Sequence, residues 1–339
     1  MTVRIVLGLE PAVITALIAA FASLAVALIG IFIGERYKRR SAIELEELRT
    51  SLAEAQAERN AQRDYRYDAI KSLYRDLQPL MFQLSELCES AYMHTRGLAR
   101  AARNGPLGRG EGSWWRDEYF LLSTVHRLLV PVAVLHLVQR RLTSVDLSVD
   151  EKLRAQYRFA RALAGTWNSG FDFATAAPEL EYKPHDGDAS ARAATEPAVY
   201  GLQHLYAGEI DQIVSALVVS ADGGAVRYRG YGEFHDAYRA EAAVRDRFAP
   251  AVHLFAGFHP RTHPVLWRML VTQAHLHQAI SRTFVAGEGV IVLPTDVFDE
   301  AERNLFDWRE PGAAETEEQA VDVPFAAARA YLDRRSGRA

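Results

Sequence analysis

Residues 11–34 read PAVITALIAAFASLAVALIGIFIG, an unbroken apolar run that is followed directly by ERYKRR at residues 35–40. No Asp, Glu, Lys, Arg or His interrupts the run. An α-helix of this length extends about 36 Å, which is enough to cross a hydrocarbon core of about 30 Å. The sequence therefore predicts one transmembrane helix over residues 11–34.

Basic residues determine the predicted orientation of this helix. Arg36, Lys38, Arg39 and Arg40 follow it directly, whereas the stretch before it contains a single arginine. Because loops rich in Lys and Arg stay in the cytoplasm, the chain after this cluster is predicted to be cytoplasmic, and residues 1–10 are predicted to lie outside. A cleaved secretory signal is the alternative, but such a signal carries its positive charge before a shorter apolar stretch.

Composition supports the same compartment. Cys88 is the single cysteine, so no intramolecular disulfide can form, and this agrees with a reducing cytoplasm. Four of the 39 basic residues are lysines and the others are arginines, a bias typical of a high-GC bacterium. We therefore expect the protein in a bacterial inner membrane. Its formal net charge of −4 makes nucleic acid an unlikely partner.

Residues 35–68 are predicted to form a charged helical stalk. Within it, Leu45, Leu48, Leu52 and Ala55 follow the 3-4-3 spacing of a coiled-coil seam. The apolar stripe ends after two heptads, because charged and polar residues occupy the following seam positions.

Two interpretations of this stalk are open. It is either a solvated helix that holds a domain away from the bilayer, or part of a parallel homodimer that begins in the membrane. Small residues in the apolar run, Ala16, Ala20 and Ala27, would let two helices pack closely. Ser41, followed by Glu44, matches a capping box and predicts that the stalk helix starts there.

Residues 69–309 are predicted to form a cytoplasmic all-helical domain, so the predicted fold class is all-α. Apolar residues recur at spacings of three and four from Ile70 to Ala91, which indicates one buried helical face. A polar, proline-bearing segment at 182–198 is the candidate internal boundary if this region contains two domains. Further helices are predicted at 149–169, 200–221, 233–255, 264–284 and 295–308, with short extended pieces at 226–229 and 290–293.

Residues 119–138 are apolar and long enough to be a second membrane segment. His126, Arg127 and His136 interrupt them, and Pro131 lies at the centre. An arginine near the middle of a bilayer is costly, so a core helix of the domain is the preferred interpretation.

The C-terminal segment, residues 310–339, is acidic at first and then basic. We expect a mostly disordered tail that contains one short helix at 324–335.

Histidines provide the candidates for a metal site. His259, His263 and His275 belong to a group of five that lies between residues 253 and 277. Prolines next to His259 and His263 disfavour a helix that would bring these two together, and no acidic residue has a recognisable ligand spacing. The sequence therefore predicts neither a metal nor a cofactor.

Arginine followed by histidine after a short gap is also found in all-helical ribonucleases. Arg247 with His253 and Arg268 with His275 have such a gap. Arginine is so frequent in this chain that about three such matches are expected by chance.

Two hypotheses for function remain. The first is a membrane-anchored scaffold or interaction protein without a catalytic motif, and it is preferred. Its expected partners are the bilayer through residues 11–34, a second copy through the span and stalk, and an unidentified cytoplasmic protein. The alternative is a membrane-tethered helical enzyme or effector, metal-dependent or ribonuclease-like, that uses the late histidines.

Overall fold

The fold is all-α, as the sequence predicts. The chain divides into two compact units, Met1–Asp68 and Ala69–Ala339, and the division falls where the stalk is predicted to end. The computed structural model describes residues 11–107, 113–142, 147, 150–168, 181–220, 226–282, 284–286, 290–292, 298–309 and 319–336.

Helices form most of the described chain. In order they are α1 (Pro11–Arg103), α2 (Glu118–Arg141), α3 (Glu151–Thr166), α4 (Ala189–Ala193), α5 (Pro197–Tyr200), α6 (Ala207–Leu217), α7 (Tyr231–Ala240), α8 (Ala242–Phe255), α9 (Pro264–Arg282), α10 (Glu300–Leu305) and α11 (Gln319–Ser336). A short 3-10 helix, Trp114–Arg116, precedes α2.

Two small antiparallel hairpins accompany the helices. Their strands are β1 (Val218–Ser220) paired with β2 (Val226–Tyr228), and β3 (Phe284–Ala286) paired with β4 (Val290–Val292). In the first hairpin Val218 lies opposite Tyr228, and in the second Phe284 lies opposite Val292. The predicted extended pieces form β2 and β4, whereas their partner strands follow a helix directly and lack a separate sequence signal.

Helix α1 continues without a break from Pro11 to Arg103. Ser41 lies inside it, so the helix start predicted there is wrong. The reason is local: no proline lies between Ala12 and Ser41, and a capping pattern does not end a helix that is already formed. Pro79 also lies inside α1.

The core of the second unit is built around α9. Every residue from Val265 to Ile280 is buried, although the segment contains arginine, glutamine and histidine. Helices α3 and α11 pack against it. The apolar face predicted between Ile70 and Ala91 is part of the same core, because Leu73, Leu77 and Leu84 are fully buried. A helix that is buried on all sides lies at the centre of its domain.

Helix α2 contains the apolar segment that the sequence offered as a second membrane span. The most apolar 18-residue window of α2 is 83% buried inside the protein. His126 is buried and its Nε2 lies 3.0 Å from the carbonyl oxygen of Arg229, while Arg127 is exposed. The structure therefore agrees with the interpretation as a core helix, since the residue that would be costly in lipid lies at the surface of the protein.

The C-terminal segment differs from the predicted mostly disordered tail. Helix α11 begins five residues before the predicted short helix at 324–335, and Val321, Ala328 and Leu332 are buried in it. Charged residues occur throughout the segment, but these three buried apolar residues are spaced seven and four apart on one side of α11, and α11 packs against α9. Residues 310–318 and 337–339 lie outside the described residues, as does the segment 1–10.

In the second unit, one predicted domain boundary and one predicted helix also differ from the structure. The segment 182–198 does not divide the region, because Ala69–Ala339 forms one compact unit. The single helix predicted over 233–255 is two helices, separated at Glu241, whose φ of −105° and ψ of 110° are extended. No proline or glycine marks that break in the sequence.

Candidate functional site

The apolar segment of the first unit is exposed along its described length up to Ile33. Leu17, Phe21, Val26 and Phe32 have exposed fractions of 48 to 71%. None of the most apolar 18-residue window of α1 is buried, although α1 and α2 are both long and apolar enough to cross a membrane. Soluble proteins rarely expose a contiguous apolar patch larger than a few hundred Å². This surface therefore indicates contact with another apolar phase or partner, because no described residue of the chain packs against it.

The basic cluster follows this surface on the same helix. Arg36, Lys38, Arg39 and Arg40 are all exposed. Within the described residues the cluster has one ion pair, in which a guanidinium nitrogen of Arg39 lies 3.8 Å from Glu35. Exposed pairs of this kind contribute at most about 1 kcal/mol, so the positive charge of the cluster remains largely uncompensated.

The predicted seam forms a second exposed stripe on the first unit. Leu45, Leu48 and Leu52 have exposed fractions of 51, 61 and 61%, and Ala55 is half-buried. Their spacing places them on one side of the helix. The residues between them are exposed, and all except Ala53 are polar, so the stripe is narrow.

The structure does not bring the three candidate metal ligands together in one site. His259 Nδ1 accepts a hydrogen bond from the backbone N–H of Arg261 at 3.1 Å. His263 Nδ1 lies 2.9 Å from the hydroxyl of Thr262. Both histidines are half-buried next to the start of α9.

His275 lies inside the core instead. Its ring is fully buried, stacks on Phe298 with centroids 4.7 Å apart, and meets Phe325 edge to face at 4.9 Å. Among the described residues, no group of three or more His, Cys, Asp or Glu side chains is arranged to hold a metal ion.

His277 is a second fully buried histidine on α9. Neither of its ring nitrogens has a hydrogen-bond partner among the described residues. Burial lowers its pKa to about 3, because the charged imidazolium would be desolvated. His277 is therefore a neutral core side chain at physiological pH.

The arginine–histidine pairs have different surroundings. Arg247 and His253 are exposed on α8, and a separation of six residues places them about 120° apart around the helix axis. Arg268 and His275 are both fully buried in α9. Neither pair therefore presents both groups to a substrate from one accessible face.

The second unit also contains a cleft that no sequence pattern predicts. This α1–α3 cleft has a volume of about 810 Å³, and its lining includes Tyr74, Phe82, Asp150 and Lys152. The Tyr74 hydroxyl donates to Oδ2 of Asp150 at 2.7 Å, and this hydrogen bond raises the pKa of Tyr74. No sequence signal could indicate the cleft, because the two residues are 76 positions apart.

The lining of the α1–α3 cleft combines apolar and polar groups. Phe82 is 65% exposed, and Met81 lies next to it. Charged side chains of both signs surround this apolar area, with Arg75 and Lys152 on the positive side and Asp150 on the negative side. Such a mixture is typical of a contact surface for a polar partner.

Comparison with family models, with curated proteins and with solved structures finds no match for this chain. The functional interpretation therefore depends on the surfaces of the molecule itself.

Proposed function

We propose that the chain is a membrane-anchored scaffold or interaction protein, and that residues 11–34 hold it in the bilayer. The observation that carries this proposal is that none of the most apolar 18-residue window of α1 is buried. Burying apolar surface contributes about 25 cal/mol per Å², so a segment of this size strongly favours a lipid environment over water. No further element in the described part of the chain covers it.

The orientation follows from the charges around the segment. Arg36, Lys38, Arg39 and Arg40 favour the cytoplasmic side, which makes the second unit cytoplasmic. Cys88 is a free, buried thiol, as expected for a protein of a reducing compartment. In a bacterium this membrane is the inner membrane.

The same proposal includes a parallel homodimer. The apolar stripe of Leu45, Leu48 and Leu52 is exposed and has the spacing of a coiled-coil seam. A second copy anchored in the same membrane would present the identical stripe at the same distance from the bilayer. The two stripes could therefore pack against each other.

The proposed role of the second unit is to bind a cytoplasmic protein, and the α1–α3 cleft is the surface that supports this role. Its volume of about 810 Å³ and the exposed Phe82 offer an apolar contact with a charged rim. The alternative of a metal-dependent or ribonuclease-like enzyme has less support, because His275 and Arg268 are core residues.

Reporter fusions test the anchor and its orientation. A fluorescent protein fused after residue 339 should fluoresce, and an alkaline phosphatase at the same point should be inactive, because phosphatase needs the periplasm. Washing membranes with alkaline carbonate should leave the full chain in the pellet. Active phosphatase at the C-terminus, or release of the protein by carbonate, would contradict the proposal.

Cysteine cross-linking tests the homodimer. Leu48→Cys should form a disulfide-linked dimer in oxidised membranes, because two copies of the same seam position face each other. Glu47→Cys is the matched control, since this neighbour is exposed but lies off the stripe. Cys88 is fully buried and will not contribute. Equal cross-linking at both positions would indicate random collision rather than a seam.

A further inference from the structure

A separate cleft in the second unit is lined by three arginines. Arg158 and Arg161 of α3 and Arg334 of α11 surround a volume of about 480 Å³, together with Ala162. No carboxylate of the described residues lines this arginine cleft. Three positive charges are thus concentrated in one place on a chain whose formal net charge is −4.

The backbone beneath the arginine cleft is fixed by packing. On α3, Phe159 and Leu163 lie beside the two arginines in the sequence and are almost completely buried. On α11, Leu332 is fully buried two residues before Arg334. The two helices pack against each other and against α9. The three arginines therefore extend from elements that hold their positions without a ligand.

The guanidinium groups of the cleft lack carboxylate partners. Arg154, one turn earlier on α3, forms an ion pair with Glu151. Within the described part of the chain, no ion pair joins Arg158, Arg161 or Arg334 to an acid. The exposed N–H groups of all three arginines are therefore available to an external acceptor.

One contact orients the arginine of α11. The guanidinium carbon of Arg334 lies 5.9 Å from the centroid of the Tyr331 ring. Such cation–π contacts fix the guanidinium plane while its N–H edge stays available. Asp333, the neighbour of Arg334 in the chain, does not line the cleft.

We infer that Arg158, Arg161 and Arg334 form a binding site for a terminal phosphate group. Like charges gathered in one cleft repel one another, and a polyvalent anion removes that repulsion. The planar fork of a guanidinium matches two phosphate oxygens at once. A volume of about 480 Å³ accepts a phosphate and the group that carries it.

The inference is independent of the anchor and of the homodimer. A terminal phosphate occurs both in soluble phosphorylated compounds and in phosphomonoester lipid headgroups, and the arginine cleft recognises the chemistry that these share. The experiment therefore uses one probe of each kind: pyrophosphate and short-chain dihexanoyl phosphatidic acid.

Isothermal titration calorimetry on the full chain in phosphatidylcholine nanodiscs tests the site. At low salt the wild type should bind at least one of the two probes. Arg158→Gln, Arg161→Gln and Arg334→Gln should each weaken binding at least about tenfold, because each removes a charge-assisted hydrogen bond. Arg161→Lys should also weaken binding, since a lysine keeps the charge but loses the fork.

Arg247→Gln is the matched control, because it removes an exposed arginine on α8 that does not line the cleft. It should bind the probe as the wild type does. Binding of pyrophosphate alone would identify a soluble ligand, and binding of phosphatidic acid would identify a headgroup; each result supports the inference when the three arginines are required. Failure of the wild type to bind either probe at millimolar concentration, or equal binding by the cleft variants and the control, would overturn it.

Discussion

The hydroxyl of Tyr74 on α1 lies 2.7 Å from Oδ2 of Asp150, the residue that caps the N-terminus of α3. Oδ1 of the same carboxylate accepts the backbone N–H of Leu153 at 2.9 Å. One side chain thus satisfies an otherwise free N–H of α3 and fixes a residue of α1 within the second unit.

Replacing Tyr74 by phenylalanine should lower the unfolding free energy of the second unit by about 0.5–1.5 kcal/mol, because one hydrogen bond is lost. Asp150→Ala should lower the unfolding free energy by a larger amount, since the N-cap of α3 is lost as well. Urea unfolding followed by tryptophan fluorescence measures both changes, because all five tryptophans lie beyond residue 68.

Tyr67→Phe is the matched control for this pair. Tyr67 is 68% exposed on the first unit, and its replacement should leave the tryptophan transition unchanged. A Tyr74→Phe variant as stable as this control would mean that the contact with Asp150 contributes nothing.

Stability should fall as the pH falls below about 6.5, and His277 is one cause. Its folded pKa is lowered to about 3 by burial, whereas in the unfolded chain it is about 6.5. The unfolded state therefore binds the additional proton between these values, and protonation favours unfolding. His94, whose pKa is lowered to about 4, acts in the same direction.

His277→Leu should make the unfolding free energy less dependent on pH, by up to about 1.4 kcal/mol per pH unit between pH 6 and 4. Urea titrations at several pH values measure the slope. Ala330→Ser, which changes an exposed residue and no titratable group, is the control and should keep the wild-type slope. If His277→Leu also keeps that slope, His277 is protonated in the folded protein.

The buried face of α11 should be essential for the stability of the second unit. Leu332→Ala should lower the unfolding free energy by about 2–5 kcal/mol, because truncating a fully buried leucine leaves a cavity against α9. Ala330→Ser, at an exposed position of the same helix, should change stability by no more than about 0.5 kcal/mol. Thermal unfolding of both variants distinguishes a packed helix from a disordered tail, for which neither change would matter.

Cysteine labelling should distinguish a core helix from a second membrane span at α2. Arg127→Cys should react quickly with a bulky water-soluble maleimide in intact membranes, because residue 127 is exposed. Leu129→Cys should react only after denaturation, since Leu129 is fully buried. Cys88 gives little background, because burial raises the pKa of its thiol. Protection of residue 127 by the bilayer would support the second span.

The elements that the sequence predicted well have strong local signals. The apolar run of α1, the stripe through Leu73 and Leu84 and the extended piece at β2 are all readable over short windows. In α2, the position of His126 and Arg127 within an apolar segment already favoured a core helix over a span.

The elements that could not be predicted from the sequence depend on contacts between residues that are distant along the chain. Helix α11 is ordered because Leu332 packs in the core around α9, some fifty residues earlier in the chain. Glu241 is extended although nothing beside it breaks a helix. The α1–α3 cleft and the arginine cleft each require two helices to meet, so neither could be read from spacing along one segment.

The burial of α9 on every side has a consequence for synthesis of the protein. During translation α9 emerges before α11, which packs against it. Until residues 319–336 have left the ribosome, one apolar side of α9 has no cover and is a target for chaperones and for aggregation. The second unit therefore completes its core late, after the apolar segment at the start of the described chain has already been made.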